Sequence, residues 1–116
     1  MIDEIYAPPQ KIDDELIAEV VRRIVRVADP DKIILFGSQA RGEGRTRSDL
    51  DILVIKESDV PRWDRGGDIY RALRDIMVPM DILVYTPEEV YDWSEVKRAF
   101  VTTAVREGKV LYEKPE

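Results

Sequence analysis

Three apolar runs of strand length, Lys32 to Phe36, Asp49 to Ile55 and Met80 to Tyr85, alternate with segments whose apolar residues recur at helical spacing. That alternation constrains the fold most, because strands separated by helices assemble into a sheet with helices laid against it. The first helical segment opens on Asp13-Asp14-Glu15, acids suited to a helix N-terminus, and turns Leu16, Ile17, Val20, Val21, Ile24, Val27 and Ala28 inward. Arg22, Arg23 and Arg26 fall mainly on its solvated face, and Asp29-Pro30-Asp31 stops it. A short helix is expected around Ser38 to Arg41, and a later one has its body at Ile69, Tyr70, Leu73, Ile76 and Met77. Thr86-Pro87-Glu88-Glu89 reads as a helix start: a hydroxyl cap, proline at the first position and a glutamate at the third. The helix that follows, kinked near Trp93-Ser94, carries Val96, Phe100 and Ala104 inward and ends before Gly108. Lys109 to Tyr112 forms a short last strand, Met1 to Lys11 a polar lead-in, and Lys56 to Arg65 a surface loop. Of Trp63, Tyr91 and Trp93, at least two are expected in the core, the alternative being a surface for a partner.

The chain of 116 residues is long enough for one modest core, and its apolar content of 44% suits a globular protein. A single domain over residues 1–116 is expected, soluble and cytoplasmic, since no apolar run approaches membrane-spanning length. With no cysteine and no histidine, disulfides, thiol catalysis, Ser-His-Asp triads and histidine metal sites are excluded. Acid–base and metal work falls to carboxylates and other oxygen donors, which favour Mg²⁺ or Mn²⁺. A net charge of −6 argues against strong nucleic-acid binding, which needs a basic surface. It admits a nucleoside triphosphate carrying its own metals, or a basic protein partner.

The chemistry concentrates in residues Gly37 to Ile55. Asp49 and Asp51 open the second strand at i and i+2, so both side chains point to one face, with Cα atoms about 6.6 Å apart, two strand rises. Two anions held that close repel unless a cation lies between them. Asp81 repeats the placement one residue into the third strand. Three acids converging on one end of a sheet make a two-metal site, in which ions about 3.5–4 Å apart hold the attacking and leaving oxygens. Just upstream, the first strand runs into Gly37-Ser38, where backbone N–H groups and a hydroxyl can receive phosphate. Arg41, one turn after Ser38, either touches that phosphate or pairs with a carboxylate, and Ser48 positions the backbone ahead of Asp49.

The run Gly37-Ser38-Gln39-Ala40-Arg41-Gly42, followed by Ser48-Asp49-Leu50-Asp51-Ile52-Leu53-Val54 and a third acid at Asp81, resembles the minimal nucleotidyltransferases of the DNA polymerase beta superfamily. The resemblance covers about Ile12 to Tyr112. It implies a mixed sheet flanked by helices, two Mg²⁺ ions (or Mn²⁺), and ATP or another NTP as donor. It also implies that Asp49, Asp51 and Asp81 are the metal carboxylates, with Gly37 and Ser38 at the phosphates. A chain of this size is similar to the antitoxin half of HEPN–MNT toxin–antitoxin pairs. There the small transferase binds a helical RNase toxin and adenylylates a tyrosine on it. Two other functions stay open: an antitoxin acting by contact alone, and transfer to a small aminoglycoside-type acceptor.

Overall fold

The computed structural model describes residues 12–37, 50–93 and 100–115. The expected helix near Ser38, the loop Gly42 to Ser48, the lead-in Met1 to Lys11 and the kink at Ser94 lie wholly or partly outside them. Helix α1 spans Asp14–Ala28. Asp13 caps it, its carboxylate accepting the Leu16 N–H at 2.8 Å, an arrangement that stabilises a helix by about 1 kcal/mol. Leu16, Val20, Ile24 and Ala28 are buried, at spacings of four residues, but Val27 is 43% exposed. Asp29 ends the helix in the left-handed region at φ 47°.

Strand β1 (Lys32–Phe36), β2 (Leu50–Ile55), β3 (Met80–Tyr85) and β4 (Lys109–Glu113) form one sheet in the order β3-β2-β1-β4. β1 runs antiparallel to β2 and β4, while β2 and β3 are parallel. The sheet is therefore mixed, as the resemblance implied. The parallel pair needs a crossover, supplied by a 3₁₀ turn at Arg62–Asp64 and helix α2 (Gly67–Ala72). α2 is shorter than its apolar spacing suggests. The Leu73 N–H is shared between the Ile69 and Tyr70 carbonyls, the helix ends, and Met77 is left 54% exposed.

Both faces of the sheet are covered. Ile33, Leu35, Leu50, Ile52, Val54, Ile82 and Val84 pack with α1 and with Ile69, Leu73 and Ile76. On the other face Ile34, Leu53 and Ile55 pack under Val101 and Ala104, with Leu83, Tyr85 and Val90 beside them. The second cover consists of α3 (Pro87–Trp93) and α4 (Phe100–Glu107). The expected cap of α3 is formed in both directions. The Glu89 N–H donates to Thr86 Oγ1 at 3.1 Å, and Glu89 Oε1 accepts the Thr86 N–H at 2.8 Å. Glu89 also takes both arms of the Arg65 guanidinium, at 2.7 and 3.2 Å. That bonding, aided by Thr86, holds its carboxyl below the ordinary range.

The core reading of the isolated aromatics is overturned. Trp63 is 87%, Tyr91 77% and Trp93 43% exposed. The loop carrying Trp63 is held by polar bonds instead: Arg65, with only 8% of its side chain exposed, donates to the carbonyls of Val60 and Val84.

Candidate active site

Register turns the strand alternation into rows. Phe36 pairs with Asp51, which pairs with Asp81. The next row on the same face is Ile34, Leu53, Leu83, and the third is Lys32, Ile55, Tyr85. α4 lays Val101 and Ala104 on the inner apolar row, so the outermost row lies beyond its buried cover. Two carboxylates thus stand abreast on neighbouring strands, with Cα atoms about 4.8 Å apart at the usual strand spacing. They sit where β1 ends and β2 and β3 begin. Asp51 is half-buried and Asp81 exposed.

Gly37 follows β1 with φ +76°, a conformation that disfavours any side chain. A Cβ there would coincide with the carboxylate of Asp51, whose Oδ2 and Cγ are the nearest atoms. The turn and the acid are therefore built around each other: the backbone passes close to Asp51 because it carries no side chain.

A cleft of about 370 Å³ opens over this row, floored by Phe36, Gly37, Asp51 and Asp81 and walled by Thr103, Ala104, Glu107 and Gly108. Gly108 makes the wall possible. A Cβ on it would overlap the Ala104 carbonyl oxygen and Ile34 Cγ2 and stand 2.9 Å from the Leu35 carbonyl oxygen. The end of α4 can therefore rest directly on β1. Its own N–H closes the helix on the Ala104 carbonyl at 2.8 Å. Thr103 and Glu107, four residues apart, fall on one helix face and both look into the cleft.

Of the residues expected at the site, Gly37, Asp51 and Asp81 meet in this cleft. Ser38, Arg41, Ser48 and Asp49 lie outside the described residues. Among the described residues no three acidic, histidine or cysteine side chains cluster closely enough to hold a metal ion. Thr103 and Glu107 were not anticipated from sequence. One signal pointed to them: a strand beginning at Lys109 that pairs beside β1 places the residues just before it next to Gly37.

Residues 18–116 match the family model described as polymerase beta, nucleotidyltransferase. The chain belongs to the polymerase beta nucleotidyltransferase family. Over 82 residues it is 35% identical to a candidate protein adenylyltransferase of Methanocaldococcus jannaschii, covering 70% of this chain and 77% of that one. The fold is similar to that of a candidate nucleotidyltransferase from Sulfolobus solfataricus, with TM-score 0.60 and 21% identity over 86% of this chain and 79% of the other. It is also similar to a chain in a toxin–antitoxin complex solved with AMP-PNP, with TM-score 0.52 and 24% identity over 89% and 75%. As a polymerase beta family nucleotidyltransferase, the chain belongs to enzymes that generally use an NTP and a divalent metal. Among the described residues, no helix is long and apolar enough to cross a membrane.

Proposed function

We propose that this nucleotidyltransferase moves AMP from ATP, with Mg²⁺, onto a tyrosine hydroxyl of a partner RNase toxin of the HEPN type, and so serves as its antitoxin. The observation that carries this reading is the row Phe36–Asp51–Asp81, with Asp51 lodged against a side-chain-free turn at Gly37. Acids abreast at the mouth of a cleft offer hard oxygen donors that suit Mg²⁺ or Mn²⁺. In this reading Asp49, Asp51 and Asp81 hold the metals. When bound, these ions neutralise charge developing on the transferring phosphate and on the leaving pyrophosphate.

The chain's own groups do the rest. Gly37 and Ser38 bind the β and γ phosphates through backbone N–H groups and the hydroxyl. Arg41 supports the triphosphate or a carboxylate, and Ser48 orients the backbone ahead of Asp49. Asp81, the more open acid, accepts the proton of the incoming hydroxyl. The acceptor being a protein is supported by the name of the Methanocaldococcus relative, and a toxin partner by the fold shared with a toxin–antitoxin complex.

A second reading, neutralisation by contact, is favoured by the exposure of Trp63, Tyr91 and Trp93, since exposed aromatics are frequent anchors of protein interfaces. One experiment separates the two. The chain is incubated with labelled ATP, Mg²⁺ and the protein encoded by the adjacent gene. Label on that protein, lost in Asp51→Asn together with neutralisation, supports transfer. Full neutralisation by Asp51→Asn without label would give the contact reading the decision. Label on an aminoglycoside but on no protein would remove both.

A further inference from the structure

We propose that the chain also adenylylates itself, on the hydroxyl of Thr103, when no partner fills the cleft. This inference rests on the adenylyl-transfer reading above and adds an acceptor within the same chain. Among the described residues lining the cleft, Thr103 carries the only hydroxyl. It stands on the α4 wall, while Asp51 and Asp81 lie on the floor of the same space.

The adjacent threonine makes an internal contrast. Thr102 donates its hydroxyl to the Trp93 carbonyl at 2.6 Å, which commits it to joining α3 and α4. Thr103 is half-buried and lines the cleft wall. Its position is set by rigid contacts rather than by a loop. Ala104, the next residue, is buried against the sheet, and the helix end is pressed onto β1 at Gly108. A hydroxyl held this way needs no diffusional encounter, an advantage that can replace high concentrations of a free acceptor.

The step balances with ATP alone as co-reactant. Thr103 Oγ1 attacks the α-phosphorus and forms an O–P bond. The bond from that phosphorus to the bridging oxygen breaks, pyrophosphate leaves with the electron pair, and the hydroxyl proton passes to the Asp81 carboxylate. The adenylyl group then occupies the cleft, so each chain reacts once and is closed to further transfer. A partner hydroxyl and Thr103 therefore compete for the same activated phosphate.

The test uses the full chain alone with α-labelled ATP and Mg²⁺, read by intact mass and by mapping the labelled peptide. One adenylyl group per chain, mapped to Thr103, absent in Asp51→Asn and in Thr103→Val, retained in Thr103→Ser and in Thr102→Val, is the expected result. Label on another residue, or label in Thr103→Val equal to the parent, overturns the assignment. Should Thr103→Val fail to fold by circular dichroism, the mapped position in the parent and in Thr103→Ser decides alone. With the partner incubation run in parallel, label on the partner but never on the chain itself overturns self-transfer and leaves the proposed function standing. Label on neither overturns both.

Discussion

Replacing Gly37 by alanine tests whether the turn and Asp51 are built around each other. Two costs are separable. Placing a side chain at φ +76° costs about 1–2 kcal/mol, the usual penalty of the left-handed region. The new Cβ also overlaps the Asp51 carboxylate, and turning that side chain off its rotamer adds about 1 kcal/mol. Gly37→Ala should therefore lose about 2–3 kcal/mol, a sizeable share of the 5–15 kcal/mol of a typical domain. The second cost vanishes once the carboxylate is gone, because in Asp51→Ala only the Cβ at 3.5 Å remains, an ordinary contact. In that background Gly37→Ala should cost about 1–2 kcal/mol, from the backbone alone. Other contacts of Asp51 cancel in the double-mutant cycle, which isolates the pair. Urea titrations of the four proteins, followed by far-ultraviolet circular dichroism, give the coupling directly. A coupling of about 1 kcal/mol is expected. Additivity within about 0.5 kcal/mol, the scatter of independent sites, would refute the contact and with it the account of how Asp51 is positioned.

Gly108→Ala should cost about 3 kcal/mol or more, because its Cβ meets backbone oxygens of Ala104 and Leu35 that cannot rotate away; a thermal melt within 2 °C of the parent (roughly 0.5 kcal/mol for this size) would contradict the packing of α4 on β1. Glu89 is held below the ordinary carboxylate range, chiefly by Arg65, so its stabilisation is full above about pH 4.3, its unfolded value, and is lost as pH falls through the lower folded one. Glu89→Gln should thus be less stable than the parent by about 1–3 kcal/mol at neutral pH, and urea midpoints of the two should converge as pH falls below about 4.3. Tyr70 accepts the Ile82 N–H on its hydroxyl at 2.9 Å, at the open edge of the sheet. Tyr70→Phe should cost about 1–2 kcal/mol for the unmet donor and speed exchange of the Ile82 amide by hydrogen-exchange NMR; an unchanged exchange rate would sink that assignment.

The strands were legible because their apolar residues face cores on both sides: β1 and β3 have the bounds read from sequence, and the described part of β2 agrees. The cap at Thr86 was legible for a different reason, being a local exchange of bonds between residues three apart. Where the reading failed, the deciding partner was remote in sequence. Trp63 is exposed because Arg65 anchors its loop to Val84 and Glu89, and nothing near residue 63 encodes that. Met77 failed for a local reason instead: α2 tightens and ends at Leu73, after too few turns to turn its whole apolar stripe inward.

The site shows the same division. That Asp51 and Asp81 share a face follows from alternation within each strand, but that they share a row depends on the β2–β3 register. A slip of one residue would send the whole apolar set of β3 to the opposite face. Ile82 and Val84 would then leave one core, and Leu83 and Tyr85 the other. The two cores on either side of the sheet therefore fix the distance between the acids. The placing of both acids in one row is a consequence of apolar burial elsewhere in the strands. The α4 wall completes the cleft by the same logic. Ala104 is fixed by burial on Ile34 and Leu53, and that burial carries Thr103 and Glu107 to the mouth of the site although neither residue resembles anything in the motif that first drew attention to it.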